Sequence, residues 1–191
     1  MLKELVLKNR SYRGYDKSVK MSREDLLDLV DLARLSNSSM NRQALKFHIA
    51  TDEKEVEEIQ KLTGWARRLP ELNLPYPGTE PVAFIIICVD TSIGSKAAFQ
   101  RDVGLTAEVM LLGAVEKGYG GCMLGTFKRG ELIKLLNLPD NLDPDLVVAF
   151  GKPDERIILT EVGEDGNTSY YRDEEGKTHY VPKYKLEDIL I

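Results

Sequence analysis

Apolar side chains along the chain switch between helical and extended spacing, and the switches divide it into elements. Leu2, Leu5 and Val6 recur at helical spacing before Asn9, predicting a short helix that delivers Arg10-Ser11-Tyr12-Arg13 to a turn at Gly14. Ser22 followed by Asp25 makes a capping-box pattern, and Leu26, Leu29, Val30 and Ala33 continue along one face, predicting a helix over 23–36. It stops at Ser36-Asn37-Ser38-Ser39-Met40-Asn41, whose short polar side chains bond their own backbone and favour turns. Leu45, Phe47 and Ile49 then alternate with Lys46, His48 and Ala50 as a half-buried strand, and 53–62 reads as a short surface helix.

Residues 64–81 contain Gly64, Pro70, Pro75, Pro77, Gly78 and Pro81, with Trp65 and Tyr76 among them, so a loop or lid is expected. Residues 82–89 are continuously apolar and β-branched, as in a central strand buried on both faces. Residues 99–115 form a helix apolar nearly all round, which places it in the core or against another subunit; Gly104 and Gly113 suit a close backbone approach. Residues 118–125 read as a glycine-rich turn into a short strand, a helix follows near 130–137, and 146–150 is a buried strand closed by Gly151 and Pro153. Strand character returns at 156–162, 169–172 and 178–181, with turns at 163–167 and 174–176, as a β-ribbon of the kind that reaches across to a partner. One domain over 1–191 is the simplest reading, with 64–81 as substrate loop or lid and 154–191 as a C-terminal arm.

Composition narrows the function. The 191 residues include 26 Lys and Arg against 31 Asp and Glu, a net charge of −5 that argues against a nucleic-acid partner. No apolar run reaches the length of a membrane span. Two cysteines make no disulfide framework, and the N-terminal residues lack the pattern of a signal peptide, so a cytoplasmic protein is expected. Residues 1–20 nevertheless carry Lys3, Lys8, Arg10, Arg13, Lys17 and Lys20 against only Glu4 and Asp16. Such a cluster is either a solvated face or a place for an anion.

No GxSxG, P-loop or zinc spacing is present, and His48 and His179 read as structural. Cys88 reads as an inert core thiol and Cys122 as a partly exposed one. Chemistry carried by a bound cofactor is the natural option, and three segments support it. Arg10-Ser11-x-Arg13 offers two guanidinium forks and a hydroxyl, a donor set suited to a phosphate monoester. Ser38-Ser39-x-Asn41-x-Gln43 carries amides able to read a heterocycle edge. Residues 120–125 let backbone N–H groups approach a flat ring.

At these residues the chain resembles the FMN-dependent nitroreductase family. The resemblance rests on Asn9-Arg10-Ser11-Tyr12-Arg13 (family pattern RRSxR), on 33–47 (AxxAPSSxNxQPWxF), on 102–120 and on Gly121-Cys122-Met123-Leu124-Gly125-Thr126-Phe127. It continues in Phe150-Gly151-Lys152-Pro153 and Val181-Pro182-Lys183-Tyr184-Lys185-Leu186. It implies an α+β sandwich with a central, mainly antiparallel sheet flanked by helices, in an intertwined homodimer with an exchanged C-terminal segment. FMN would lie at the interface. Arg10, Ser11 and Arg13 would hold its phosphate, with Lys183 and Lys185 adding charge. Ser39, Asn41 and Gln43 would contact the ribityl chain and ring, and Leu124, Gly125 and Thr126 would line the ring near N5.

The implied activity is hydride transfer from NADH or NADPH to the flavin, then reduction of a nitroaromatic, quinone or similar acceptor at the same site, a ping-pong scheme. No catalytic side chain is required beyond the cofactor, and no metal. Trp65 and Tyr76 would either stack on an aromatic acceptor or only pack the loop. The alternatives are a flavin-sequestering protein with little turnover, or a same-fold enzyme with other flavin chemistry such as dehalogenation or flavin breakdown. The chain departs from the family pattern at Asn9, Asn37 and Ala44-Leu45, where arginine, proline and Pro-Trp are usual.

Overall fold

The computed structural model describes residues 1–173 and 178–191, so the turn expected at 174–176 lies outside the described residues. In chain order the elements are α1 (Leu2–Lys8), β1 (Tyr15–Asp16), α2 (Arg23–Leu35), β2 (Leu45–Ala50), α3 (Glu53–Leu62), β3 (Ala83–Asp90), α4 (Gln100–Glu116), β4 (Gly120–Leu124), α5 (Arg129–Leu135), β5 (Leu142–Pro153), β6 (Arg156–Glu161), β7 (Tyr171–Arg172) and β8 (Thr178–Lys183).

The architecture follows from β3. An extended strand turns successive side chains to opposite faces, so a run apolar at every position needs cover on both sides. Ile85, Ile87 and Val89 enter a core with Leu26 and Leu29 of α2 and Val103, Ala107 and Met110 of α4. Phe84, Ile86 and Cys88 enter a second core with Val56 and Ile59 of α3 and Leu132 of α5. The result is the expected α+β sandwich. β3 pairs antiparallel with β2 and β5, and β5 also takes β4 and β1 as antiparallel neighbours. In the separate ribbon, β8 pairs parallel with β6 and antiparallel with β7.

The capping box forms as its spacing predicts: Ser22 Oγ accepts from Asp25 N at 3.0 Å, and the Asp25 carboxylate accepts from Ser22 N at 3.1 Å. Ser22→Ala is expected to lower stability by about 1 kcal/mol. Urea denaturation measures this, and an unchanged midpoint at unchanged slope would show the cap to be dispensable.

Several elements differ from the expectation. β5 does not close at Gly151 but runs on to Pro153, because β1 pairs there and the Tyr15 ring takes the space of the missing side chain; a Cβ on Gly151 would lie 2.8 Å from it. Cys122 is buried, not partly exposed, at 3% accessibility. Along α4 the close approach occurs at Gly113, where a Cβ would stand 2.5 Å from Leu32 of α2. Gly104 faces open space, and Leu105 beside it is 51% exposed.

Candidate functional site

After α1 the chain runs along β4. Ser11 forms a parallel bridge with Gly121, and Tyr12 N donates to Gly121 O at 3.1 Å. This contact accounts for the first of the two glycines that open β4, and the pairing with β5 for the second. A Cβ on Gly120 would lie 2.5 Å from the Tyr12 ring, and one on Gly121 2.4 Å from the Ala149 carbonyl oxygen. Both glycines therefore serve the packing of the protein on itself. Gly125 does not: a Cβ there would meet nothing within 4 Å, which leaves its backbone approachable.

The segment so placed forms one wall of a cavity of about 200 Å³, with Asn9, Arg10, Ser11 and Arg13 on one side. His179, Val181 and Lys183, alternate residues on one face of β8, stand on the other with Ile157 and Tyr170. Arg10 donates from Nη2 to Val6 O at 2.5 Å, while its Nε is buried with no hydrogen-bond partner. Arg13 is anchored on three sides. Its Nη1 donates to Ser11 O at 3.1 Å and meets His179 Nε2 at 3.3 Å, and its guanidinium lies 4.8 Å from the Tyr170 ring centroid. Its backbone N–H donates to Glu155, which also forms a buried ion pair with Arg172.

The electrostatics favour an anion. Arg10, Arg13 and Lys183 reach the cavity, and the neighbouring carboxylate of Glu155 is already engaged by Arg172 and the Arg13 backbone. Burial, and then the charges of Arg13 and Arg172, push the His179 imidazole down to about 4, so it is neutral at neutral pH. Burial holds the Glu155 carboxyl above its ordinary range against the pull of the two arginines. Burial also pushes the Cys122 thiol up to about 11 despite the Arg13 charge, which leaves it protonated and unreactive.

A second group forms around α4. Met40, Asn41 and Gln43 have φ of 51°, 53° and 50°, a left-handed backbone that their surroundings must hold. Just before them, Asp102, buried in the first turn of α4, accepts with its carboxylate oxygens from Ser39 N at 3.0 and 3.1 Å. Ser38 Oγ beside it is buried with no partner. Ser39 borders a cavity of about 600 Å³ with Arg101, and Gln43 one of about 290 Å³ with Phe47; Asn41 borders neither.

The fold thus gathers Arg10, Ser11, Arg13 and Lys183 in one cavity and holds Ser39 and Gln43 at others. α4 joins the groups: Asn9 Nδ2 donates to Glu108 at 2.9 Å, and Asp102 holds Ser39 about 9 Å away along the helix axis. Leu124 ends β4 and Gly125 and Thr126 follow it, where Thr126 O accepts from Gly64 N at 2.8 Å and so ties them to the start of the 64–81 loop. Lys185 pairs with Glu161 at 3.7 Å instead of entering the anion cavity. Trp65 packs on the second core and donates from Nε1 to Thr63 Oγ1 at 2.9 Å, and the Tyr76 ring lies 5.9 Å from the Arg172 guanidinium. Sequence reasoning missed His179, Tyr170 and Asp102 as site residues. The strand period could have found His179, since it shares a face with Lys183. A carboxylate in an otherwise apolar helix could have drawn attention to Asp102.

The donor set suits a phosphate monoester: two guanidinium groups, one with an unpartnered buried Nε, a hydroxyl and an ammonium. A cavity of about 200 Å³ accommodates such a group but falls short of the roughly 300–1,000 Å³ typical of a whole cofactor-sized ligand.

A helix-flanked, mainly antiparallel sheet, with a cationic cavity between its N-terminal segment and the C-terminal ribbon, defines an α+β sandwich protein. The family model described as "Nitroreductase family" matches residues 6–152, and the chain belongs to the nitroreductase family. A protein of Archaeoglobus fulgidus, provisionally named as an NADH dehydrogenase/NAD(P)H nitroreductase, is 26% identical over 171 residues, covering 86% of this chain and 92% of its own. A Cr(VI) reductase of Pseudomonas sp. strain G-1 is 29% identical over 175 residues, covering 82% of this chain and 68% of its own. Among solved structures, an FMN-dependent nitroreductase of Clostridium difficile R20291 superposes with a TM-score of 0.65 at 21% identity, covering 80% of this chain and 87% of its own.

Proposed function

We propose that this protein is an FMN-dependent oxidoreductase of the cytoplasm that takes hydride from NADH or NADPH and reduces nitroaromatic, quinone or similar acceptors. The observation that carries this reading is the cationic cavity of Arg10, Ser11, Arg13 and Lys183 with its unpartnered Arg10 Nε, found in a chain of the nitroreductase family. The names of the similar proteins, which join NAD(P)H, FMN and nitro or chromate reduction, support it.

FMN, when bound, supplies a ring that accepts hydride at N5 and passes electrons to an acceptor in a separate half-reaction, hence ping-pong kinetics. The chain's own residues bind and orient. Arg10, Arg13, Ser11 and Lys183 hold the phosphate; Ser39, Asn41 and Gln43 serve the ribityl chain and ring edge; and the open backbone at Gly125 lets Leu124, Gly125 and Thr126 lie against the ring. Lys185 adds charge at longer range, and Trp65 and Tyr76 serve the acceptor from the 64–81 loop. No side chain need act as acid or base, because solvent supplies protons.

The working unit in this reading is a homodimer. Gly104 and Leu105 leave an uncovered stripe on α4, between the two groups of site residues. A second copy packed there would bring the 38–43 loop of one chain towards the anion cavity of the other. Leu186, Ile189 and Leu190, each more than 60% exposed, suit a C-terminal arm that reaches the partner.

The protein as purified is expected to be yellow or to take up FMN on titration, and NADH or NADPH should bleach the flavin band rapidly in anaerobic stopped-flow mixing. A folded protein that takes up no FMN sinks the flavin reading. A bound flavin that neither nicotinamide bleaches leaves a flavin-holding protein without turnover.

A further inference from the structure

We propose that His179 is a hydrogen-bond donor of the anion cavity, giving its Nδ1 proton to an oxygen of the phosphate group that Arg10 and Arg13 bind. The inference rests on the proposed function for the identity of the phosphate-bearing molecule, FMN. The sequence alone makes His179 a structural residue of the ribbon; its surroundings assign it more.

The proton's position follows from the neighbour. A guanidinium has only donors and stays protonated, so the contact of Arg13 Nη1 with His179 Nε2 at 3.3 Å requires Nε2 to accept. A neutral imidazole that accepts at Nε2 carries its proton on Nδ1. Burial first, and then the neighbouring charges of Arg13 and Arg172, favour the neutral ring. Arg13 from the N-terminal segment, Arg172 from the paired strand β7 and Lys183 from the same face of β8 are cationic, and the Tyr170 ring packs at 5.1 Å between centroids. The nearby carboxylate, Glu155, is held by Arg172 and the Arg13 backbone.

That Nδ1 is buried and has no hydrogen-bond partner, on a residue only 1% exposed. A buried donor left unmatched is destabilising, a penalty that an arriving acceptor relieves. The adjoining cavity is the place for that acceptor. Alternate residues of β8 share a face, and His179, Val181 and Lys183 all line the cavity where Arg10 Nε also lacks a partner. A neutral donor has a specific advantage there. It adds a hydrogen bond to a phosphate oxygen without another positive charge beside Arg13 and Arg172, whereas an imidazolium would repel both and lose its acceptor for Arg13. Asn9, at the position of the family's first arginine, does not fill this role with charge, and its amide is engaged by Glu108.

Imidazole ¹⁵N NMR of the full chain tests this directly, because there are only two histidines and His48, bonded to Glu55 at 2.8 Å, is assigned by His48→Gln. His179 is expected as the Nδ1–H tautomer, its proton shifting downfield and exchanging more slowly on addition of FMN or inorganic phosphate but not of riboflavin. An Nε2–H tautomer in the complex, or a proton unmoved by saturating FMN, overturns the proposal.

Two isosteric variants give a binding readout by fluorescence titration. His179→Asn keeps an amide donor near the Nδ1 position, and His179→Gln keeps an acceptor for Arg13 near the Nε2 position. Gln is expected to weaken FMN binding by about tenfold and riboflavin binding by no more than about twofold, with Asn nearer the wild type. The reverse order would make His179 only a support for Arg13 and overturns donation to the anion. If wild-type protein binds no FMN while inorganic phosphate still shifts the Nδ1 proton, the flavin reading fails and the donor assignment stands.

Discussion

Glu155→Ala should destabilise the fold by about 3–5 kcal/mol, the range for removing one partner of a buried ion pair. Glu155 and Arg172 are 4% and 5% exposed, and the same carboxylate accepts from the Arg13 backbone N–H, so one side chain joins the N-terminal segment to the C-terminal ribbon. Without it the buried Arg172 guanidinium loses this carboxylate and the Arg13 N–H its acceptor, so the side chain that ties the ribbon to the N-terminal segment is gone. Urea denaturation should therefore show a large loss for Glu155→Ala and a smaller one for Glu155→Gln, which keeps an acceptor but not the charge. A change below about 0.5 kcal/mol would mean that the pair does not hold the ribbon. Because β8 carries His179 and Lys183, the same substitution should also weaken FMN binding.

Arg13→Ala should weaken FMN binding by roughly tenfold to a hundredfold, the worth of hydrogen bonds to a charged group, while riboflavin, which has no phosphate, binds nearly as before. Arg13→Lys keeps the charge but not the fork, and its affinity should fall between the two. The ratio of FMN to riboflavin dissociation constants separates this from a general loosening of the ribbon, since Arg13 also packs on Tyr170 and His179. An FMN affinity equal to that of the wild type would refute the phosphate assignment.

Much of this was legible in the sequence wherever the determinant is local. The Ser22 capping box, the helical stripe of Leu26, Leu29 and Ala33, and the unbroken apolar run of β3 each depend on spacing within a few residues, and each appears in the fold. The donors Arg10, Ser11 and Arg13 were readable for the same reason, lying within four positions of one another.

Features that depend on distant contacts were not readable. Gly120 and Gly121 look like a turn or a ring-approach site until Tyr12 and the Ala149 carbonyl are seen against them. Cys122 looks half-exposed until β4 is paired with β5 and covered by the second core. The parallel partnership of β6 and β8 has no signature in either strand. Nor could spacing tell Lys183 from Lys185: alternation along β8 sends the first into the anion cavity, while the second pairs with Glu161.

By itself the sequence determined a helix-flanked sheet with a buried central strand and a basic, hydroxyl-bearing segment suited to phosphate, because hydrophobic period, capping and donor type are properties of neighbouring residues. Only the tertiary structure decided which donors share a cavity, which glycines stay open, and that His179 is neutral with its proton on Nδ1. Those outcomes depend on burial and on charges from Arg13 and Arg172, which lie far apart in the chain and meet only when the ribbon closes over the N-terminal segment.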